Sequence, residues 1–262
     1  MRHVIAYQKK RKERDRDGVF VAEGERLVTE VPDRECKELY VSASFHAAMS
    51  GETKRFFARH KRIAQVVPDA SFAKMSDTKT PQGILAVVRQ RQYTLDALLA
   101  GKGAGTEPSP AGPVLILEEI QDPGNLGTIL RASEAAGVSF VILAGNTVDR
   151  YSPKAVRATM GSIFRVPVVR ESLSCAAKLK EAGYTIAAAD TDGAVSYDAY
   201  DWTGKSALII GNEANGLSEE AKQAADIMLK IPMAGKNESL NAAVCASVML
   251  FEAARQRRVN VV

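Results

Sequence analysis

Three short stretches of this 262-residue chain carry polar side chains at spacings that could do chemistry. Asp-Pro-Gly-Asn-Leu-Gly-Thr-Ile-Leu-Arg at 122–131 follows the apolar run 114–117 and opens a helical pattern, so a tight turn presents Asn125 and Arg131 at the carboxyl end of an expected strand. Leu-Ile-Ile-Gly-Asn-Glu-Ala-Asn-Gly-Leu-Ser at 208–218 is a second strand running into a turn, with Glu213 between Gly211 and Gly216. Ile-Pro-Met-Ala-Gly-Lys-Asn-Glu-Ser-Leu-Asn at 231–241 leads into the last helix and supplies Ser239 and Asn241. Open α/β sheets gather their ligands in the crevice outside strand carboxyl ends, but that location alone names no reaction. The groups on offer are a guanidinium, carboxamides, a carboxylate and a hydroxyl. His3, His46 and His60 lie outside all three stretches without ligand spacing, so neither a metal nor a histidine base is expected. Cys36, Cys175 and Cys245 are far apart and odd in number, which argues against a disulfide framework or a thiolate metal site and for small buried hydrophobes.

In this order and spacing the three stretches resemble the three motifs of the SpoU/TrmH family of RNA ribose 2′-O-methyltransferases, within the SPOUT superfamily, over roughly residues 111–257. Three ordered motifs are far more specific than a single glycine-rich turn. The resemblance implies S-adenosylmethionine as cofactor, bound bent in a deep trefoil knot near the C-terminus, and a homodimer formed through that region. Gly211 stands where strand-end backbone would approach the adenosine without a Cβ in the way. Ile231 and Leu240 stand where apolar walls hold the adenine, with Met233 and Gly235 in the loop between. Taken singly, each of these residues reads as turn or core.

Methyl transfer to a 2′-hydroxyl needs that oxygen oriented in line with the methyl group and its growing negative charge stabilised. Arg131 matches the family's catalytic arginine. A guanidinium stays protonated in proteins, so Arg131 is expected as an orienting cation that grips the target phosphate and lowers the hydroxyl pKa. The phosphate or water then takes the proton. Asn125 matches the motif asparagine and either positions Arg131 or the nucleotide, or simply caps its helix. Glu213 either holds Arg131 or Asn241 by a charged hydrogen bond, or is a surface loop charge. Ser239 and Asn241 close the set at the head of the last helix, where Ser239 is also a natural N-cap.

The elements that must hold these side chains follow from periodicity. Expected strands at 114–117, 140–143, 185–189, 207–210 and 227–231 alternate with helical stretches at 125–137, from 153, at 172–182, 218–225 and 239–256, the pattern of an α/β domain with a parallel sheet. The last helix is apolar nearly all round and must be buried by the domain or by a second subunit. Residues 100–113 are about half Gly and Pro and read as a flexible linker, giving domains at 1–104 and 113–262 joined by 105–112. The first domain alternates β-rich runs (19–21, 39–41, 63–67, 84–88) with helical patterns (25–31, 52–60, 71–76), a small α/β sandwich. Its segments Phe-Val-Ala-Glu-Gly-Glu-Arg-Leu-Val from 20 and Thr-Pro-Gln-Gly-Ile from 80 resemble the substrate-binding domain often fused ahead of this methyltransferase domain. That fold is similar to ribosomal proteins that bind kinked RNA.

The net charge of +4 is uneven: residues 1–16 hold seven Lys and Arg against Glu13 and Asp15, a local +5 on a body near −1. Such an arm, with Lys9, Lys10, Arg11 and Lys12 at its centre, suits polyanion binding; it also suits a frayed, solvated terminus. Arg55, Arg59 and Arg62 fall at i, i+4 and i+7, an arginine stripe if they share one helix with Phe56 and Ile63 inward. The expected partner is structured RNA, with 23S ribosomal RNA placed ahead of tRNA by fold analogy. A catalytically silent RNA-binding protein of the same fold is the other reading, against which the polar set at 125, 131, 213, 239 and 241 argues. A nucleotide-binding oxidoreductase fails for want of a G-x-G-x-x-G turn or a P-loop. No apolar run reaches the roughly 18 residues that span a bilayer, and the N-terminus lacks a secretory core, so no membrane partner and a cytoplasmic location are expected.

Overall fold

The computed structural model describes residues 1–101, 112–235 and 239–259; most of the stretch expected as a linker lies outside them. Contacts divide the chain into two compact units, Met1–Arg91 with Asp149–Phe164 and Gln92–Val148 with Arg165–Val262. The segment Asp149–Phe164 packs with the N-terminal residues although it lies in sequence between two strands of the second unit, a grouping that no linear boundary expresses.

The first unit comprises α1 (Arg2–Lys9), α2 (Arg11–Asp17), β1 (Val19–Glu23), α3 (Glu25–Thr29), β2 (Cys36–Ser42), α4 (Ala43–Ala48), α5 (Gly51–Arg59), β3 (Ala64–Val67), α6 (Asp69–Met75) and β4 (Ile84–Arg89). Its sheet runs β1-β4-β2-β3, with β4 antiparallel to both neighbours and β3 parallel to β2. The N-terminus is not frayed. Val4 and Tyr7 of α1 bury against Val19, Val21, Tyr40 and Phe72, and the chain bends at Lys10, whose backbone is extended. Arg14 locks the bend. It is buried, donates through Nη1 to the Tyr7 carbonyl at the end of α1 (2.5 Å), and pairs through Nη2 with Asp149 at 2.6 Å. One positive charge of the arm therefore belongs to the interior. β1 is buried at all five positions, and the helix of the inserted segment, α9 (Pro153–Ala158), packs on it. Phe20 stacks on Tyr151 with ring centroids 4.7 Å apart.

The second unit comprises α7 (Leu95–Leu99), β5 (Val114–Glu118), α8 (Pro123–Ala135), β6 (Phe140–Ala144), β7 (Val168–Arg170), α10 (Cys175–Glu181), β8 (Thr185–Ala189), β9 (Val195–Ser196), β10 (Ser206–Ile210), α11 (Glu219–Ala224), β11 (Ile227–Lys230) and α12 (Ala242–Val259). The seven strands form one parallel sheet in the order β7-β6-β5-β10-β8-β11-β9. β5, β6 and β10 are buried at every position, as strands covered on both faces must be. β7 and β9 hold three and two residues, too few to show a period. Asp122 starts α8 by accepting the Asn125 N–H at 2.9 Å, and Pro123 supplies a preset φ at the first helical position.

α12 packs on α8 and β10 through Ala242, Ala243, Ala246, Met249, Leu250 and Ala253. The small residues let the two helices approach closely. Its opposite face is not covered by the domain: Val244 and Phe251, one heptad apart, are each 47% exposed. No helix of the described residues is long and apolar enough to cross a membrane.

The buried pair that seats the basic arm gives the first test. Its side chains are 5% and 13% exposed, so Arg14→Ala strands the Asp149 carboxylate away from water. The variant should lose about 3–5 kcal/mol of stability, read from urea denaturation; an unchanged midpoint would show that the pair does not seat the arm.

Candidate active site

β5 and β10 are neighbours in the sheet, and their register pairs Leu117 with Ile210, so the turns that follow them begin side by side. The turn after β5 departs from regular geometry at Glu119, whose φ is +53°, a left-handed conformation that costs a side-chain-bearing residue energy. That twist turns the Glu119 carbonyl to accept from Asn212 Nδ2 (2.8 Å) and Gln121 Nε2 (3.1 Å). The turn after β10 folds back on itself. Asn212 pairs with Gly216 through both backbone groups, and its Oδ1 accepts from the Ala214 and Asn215 N–H groups. A Cβ at Gly211 would lie 2.5 Å from the Gly216 carbonyl oxygen. The close approach that this glycine permits is thus first to its own loop.

A directed chain of hydrogen bonds joins the three stretches. At one end, Asn241 Oδ1 accepts the Ala243 and Val244 N–H groups, which begin α12. Asn241 Nδ2 donates to Asn125 Oδ1 at 3.1 Å, and Asn125 Nδ2 donates to Glu213 Oε1 at 2.9 Å. The other carboxylate oxygen of Glu213 accepts the Gln121 N–H at 3.3 Å. An ionised carboxylate only accepts and helix N–H groups only donate, so both carboxamides between them have a single satisfied orientation.

Several expectations change here. Asn125 is not the N-cap of α8; Asp122 is, and Asn125 sits inside the first turn with its side chain free to bridge Glu213 and Asn241. Glu213 holds Asn125 rather than Arg131, and it reaches Asn241 only through Asn125. Ser239 does not cap the last helix: α12 begins at Ala242 and Asn241 caps it, because its carboxamide can accept from the helix while donating away from it. Ser239 is exposed. Arg131 is also exposed, about 9 Å along the helix axis from Asn125 at 1.5 Å per residue. Among the described residues it makes no side-chain hydrogen bond or ion pair.

The residues expected around a cofactor lie on either side of positions 236–238, which are outside the described residues. Ile231, just past the end of β11, and Leu240 are half-buried, Met233 is 37% exposed, and a Cβ at Gly235 would meet open space. Apolar side chains left partly exposed beside a polar turn suit a flat, amphipathic ligand. Among the described residues, no cluster of His, Cys, Asp and Glu could hold a metal. Burial pushes the thiol of Cys36 up to about 12 and those of Cys175 and Cys245 up to about 11, so all three stay protonated at neutral pH.

In the first unit, Lys9, Lys10 and Lys12 are exposed at the bend between α1 and α2, and Arg11 forms an exposed pair with Asp15 at 3.2 Å. The arginine stripe does not form. α5 ends at Arg59, where the His60 ring stacks on Phe56, so Arg62 lies in the following turn and off the helix. Arg59 is engaged with Asp33 at 3.1 Å, whereas Arg55 and Arg62 are exposed; Phe56 is fully buried, as its spacing implied. Sequence reasoning passed over Gln121, Asp122 and Asn212. The signal for Asn212 was present, since Asn-x-x-Asn-Gly after a strand is a run of residues that bond their own turn.

Residues 112–251 match the SpoU rRNA Methylase family, and residues 4–86 match the MRM3-like substrate binding domain. The chain is 31% identical over 244 residues to the 23S rRNA (guanosine(2553)-2′-O)-methyltransferase RlmP of Bacillus subtilis, covering 92% of this chain and 90% of that protein. It is 39% identical over 212 residues to the 23S rRNA (uridine(2479)-2′-O)-methyltransferase of Streptomyces viridochromogenes, covering 76% of this chain and 69% of the other. The crystal structure of an AdoMet-bound rRNA methyltransferase from Sinorhizobium meliloti superposes with a TM-score of 0.82 at 31% identity, over 97% of this chain and 93% of that one.

Proposed function

The chain belongs to the SpoU rRNA methylase family of RNA 2′-O-methyltransferases, and from that premise we propose that it methylates a ribose 2′-hydroxyl of 23S ribosomal RNA in the cytoplasm, using S-adenosylmethionine and no metal. The observation that carries the reading is the chain Asn241–Asn125–Glu213, which ties all three polar stretches together at the carboxyl ends of adjacent central strands. A catalytically silent binder has no use for that convergence. The two relatives named above act on a guanosine and on a uridine, so likeness to them leaves the target base open.

Bound S-adenosylmethionine supplies an electrophilic methyl group on a sulfonium. Ile231 and Leu240 would hold its adenine between apolar walls, with Gly211, Met233 and Gly235 lining the rest, in a C-terminal segment knotted as the family fold implies. The permanently charged Arg131 grips the target phosphate, sets the 2′-hydroxyl in line and favours its alkoxide. Glu213 is a poor general base, because both of its oxygens already accept hydrogen bonds. The proton leaves instead to the target's own phosphate or to water. Ser239 and Asn241 complete the wall at the head of α12.

The unit of residues 1–91 and 149–164 presents the RNA, and the unit of residues 92–148 and 165–262 carries the chemistry, so the boundary expected at 104 moves back to 91. The exposed Lys9, Lys10 and Lys12 contact phosphate together with the exposed Arg55 and Arg62, and Arg11 and Arg59 give support that their own ion pairs reduce. Two copies of the chain pair through the uncovered face of α12, where Val244 and Phe251 would be buried.

Two outcomes are expected. Arg131→Ala abolishes methyl transfer from radiolabelled S-adenosylmethionine to RNA while calorimetry shows the cofactor still bound, and Arg131→Lys does not restore full activity because an ammonium lacks the guanidinium fork; substantial activity in Arg131→Ala would place the catalytic group elsewhere. Replacing Lys9, Lys10 and Lys12 together with Ala weakens binding to all RNAs alike and flattens the slope of log affinity against log salt by roughly 2, at about 0.7 per single-strand phosphate contact. A change confined to one RNA sequence would mean that the lysines read bases.

A further inference from the structure

The loop that carries Glu213 is held at both ends by two consecutive residues that none of the polar stretches includes. At its start, Asn212 Nδ2 donates to the carbonyl of the strained Glu119 at 2.8 Å. At its end, Ser218 gives both of its donors to the side chain of Glu118: the backbone N–H to Oε2 at 3.1 Å and the hydroxyl to Oε1. Glu118 is the last residue of β5 and is only 5% exposed. A carboxylate so buried must be matched by donors, and Ser218 is its only hydrogen-bond partner among the described residues. The same Ser218 hydroxyl accepts the Ala221 N–H at 3.0 Å and so starts α11.

We propose that Glu118 is a positioning residue for the methyl-transfer site: with Glu119 it forms a two-point clamp that fixes the 212–218 loop and thereby places Glu213 against Asn125. The geometry follows from the strand. β5 ends level with β10, Glu118 points its carboxylate across to the far end of the loop that leaves β10, and Glu119 takes the near end. The bonds inside the loop, from Asn212 to Ala214, Asn215 and Gly216, make it a rigid unit, so fixing its two ends fixes Glu213. An amide at position 118 has one acceptor where the carboxylate has two, and it would face a donor of Ser218 with a donor of its own.

The consequence for the cofactor rests on the methyltransferase reading; the clamp itself does not. The test uses the full chain as wild type, Glu118→Gln, Ser218→Ala and the double variant, and reads backbone hydrogen exchange together with calorimetric affinity for S-adenosylmethionine. Each single variant should speed exchange across 212–218 on the order of tenfold, the effect of losing a hydrogen bond to a buried charge, without changing α8 or β10. The double variant should be no faster than the faster single variant. Affinity for S-adenosylmethionine should fall in the same proportion, while RNA affinity by filter binding stays at the wild-type value. Exchange unchanged in the loop, exchange raised equally throughout the second unit, or faster loop exchange with unaltered cofactor affinity would each overturn the proposal. If Glu118→Gln does not fold, Ser218→Ala alone decides. If the wild-type chain does not bind S-adenosylmethionine, the function proposed above fails, and loop exchange still decides whether the clamp exists.

Discussion

A carboxylate that can only accept and a helix end that can only donate fix everything between them. Glu213 stands at one end of the chain of hydrogen bonds and the first N–H groups of α12 at the other, and the carboxamides of Asn125 and Asn241 have one orientation that satisfies both. Each bond lies near the surface and adds modestly to stability. Its effect is geometric. Three loops that leave different strands are brought to one register, and Arg131, on the same helix as Asn125, inherits its position from them.

The parallel sheet makes this possible. Because β5 and β10 are adjacent and end level, the turns after them meet without long excursions, and α12 reaches the same point by packing its alanine face on α8. Local strain is concentrated where the turns touch: Glu119 adopts a left-handed conformation so that its carbonyl faces Asn212, and Gly211 gives up its side chain so that Gly216 can lie against it. In the first unit the corresponding anchor is Arg14, which takes one charge out of the basic arm and in return holds Lys9, Lys10 and Lys12 on a folded bend.

Much of this was legible in the sequence, and the failures have physical causes. The long buried strands announced themselves as apolar runs, and β5, β6, β8 and β10 fall within a residue of their expected limits. β7 and β9 were too short to carry a period. The family resemblance placed Asn125, Glu213 and Asn241 in one site, but composition cannot tell which polar group bonds which. Asparagine is a common cap, but the helix starts earlier than the periodicity implied: Asp122, three residues before Asn125, holds the extended N-cap position and accepts the Asn125 N–H. Charge counting missed Arg14, since the partner that buries it, Asp149, lies 135 residues away. The arginine stripe at 55, 59 and 62 assumed a helix longer than the one that forms.

The claim that Glu213 acts by orienting Asn125 is tested most directly by a double-mutant cycle on methyl transfer, comparing kcat/KM for Asn125→Ala, Glu213→Ala and the double variant on full-length chain with its RNA. If the two side chains act as one unit, removing the second after the first costs little, and the coupling energy exceeds about 1 kcal/mol. Additive losses, within about 0.5 kcal/mol, would mean that Glu213 and Asn125 serve the reaction separately and that the hydrogen bond between them does not organise the site.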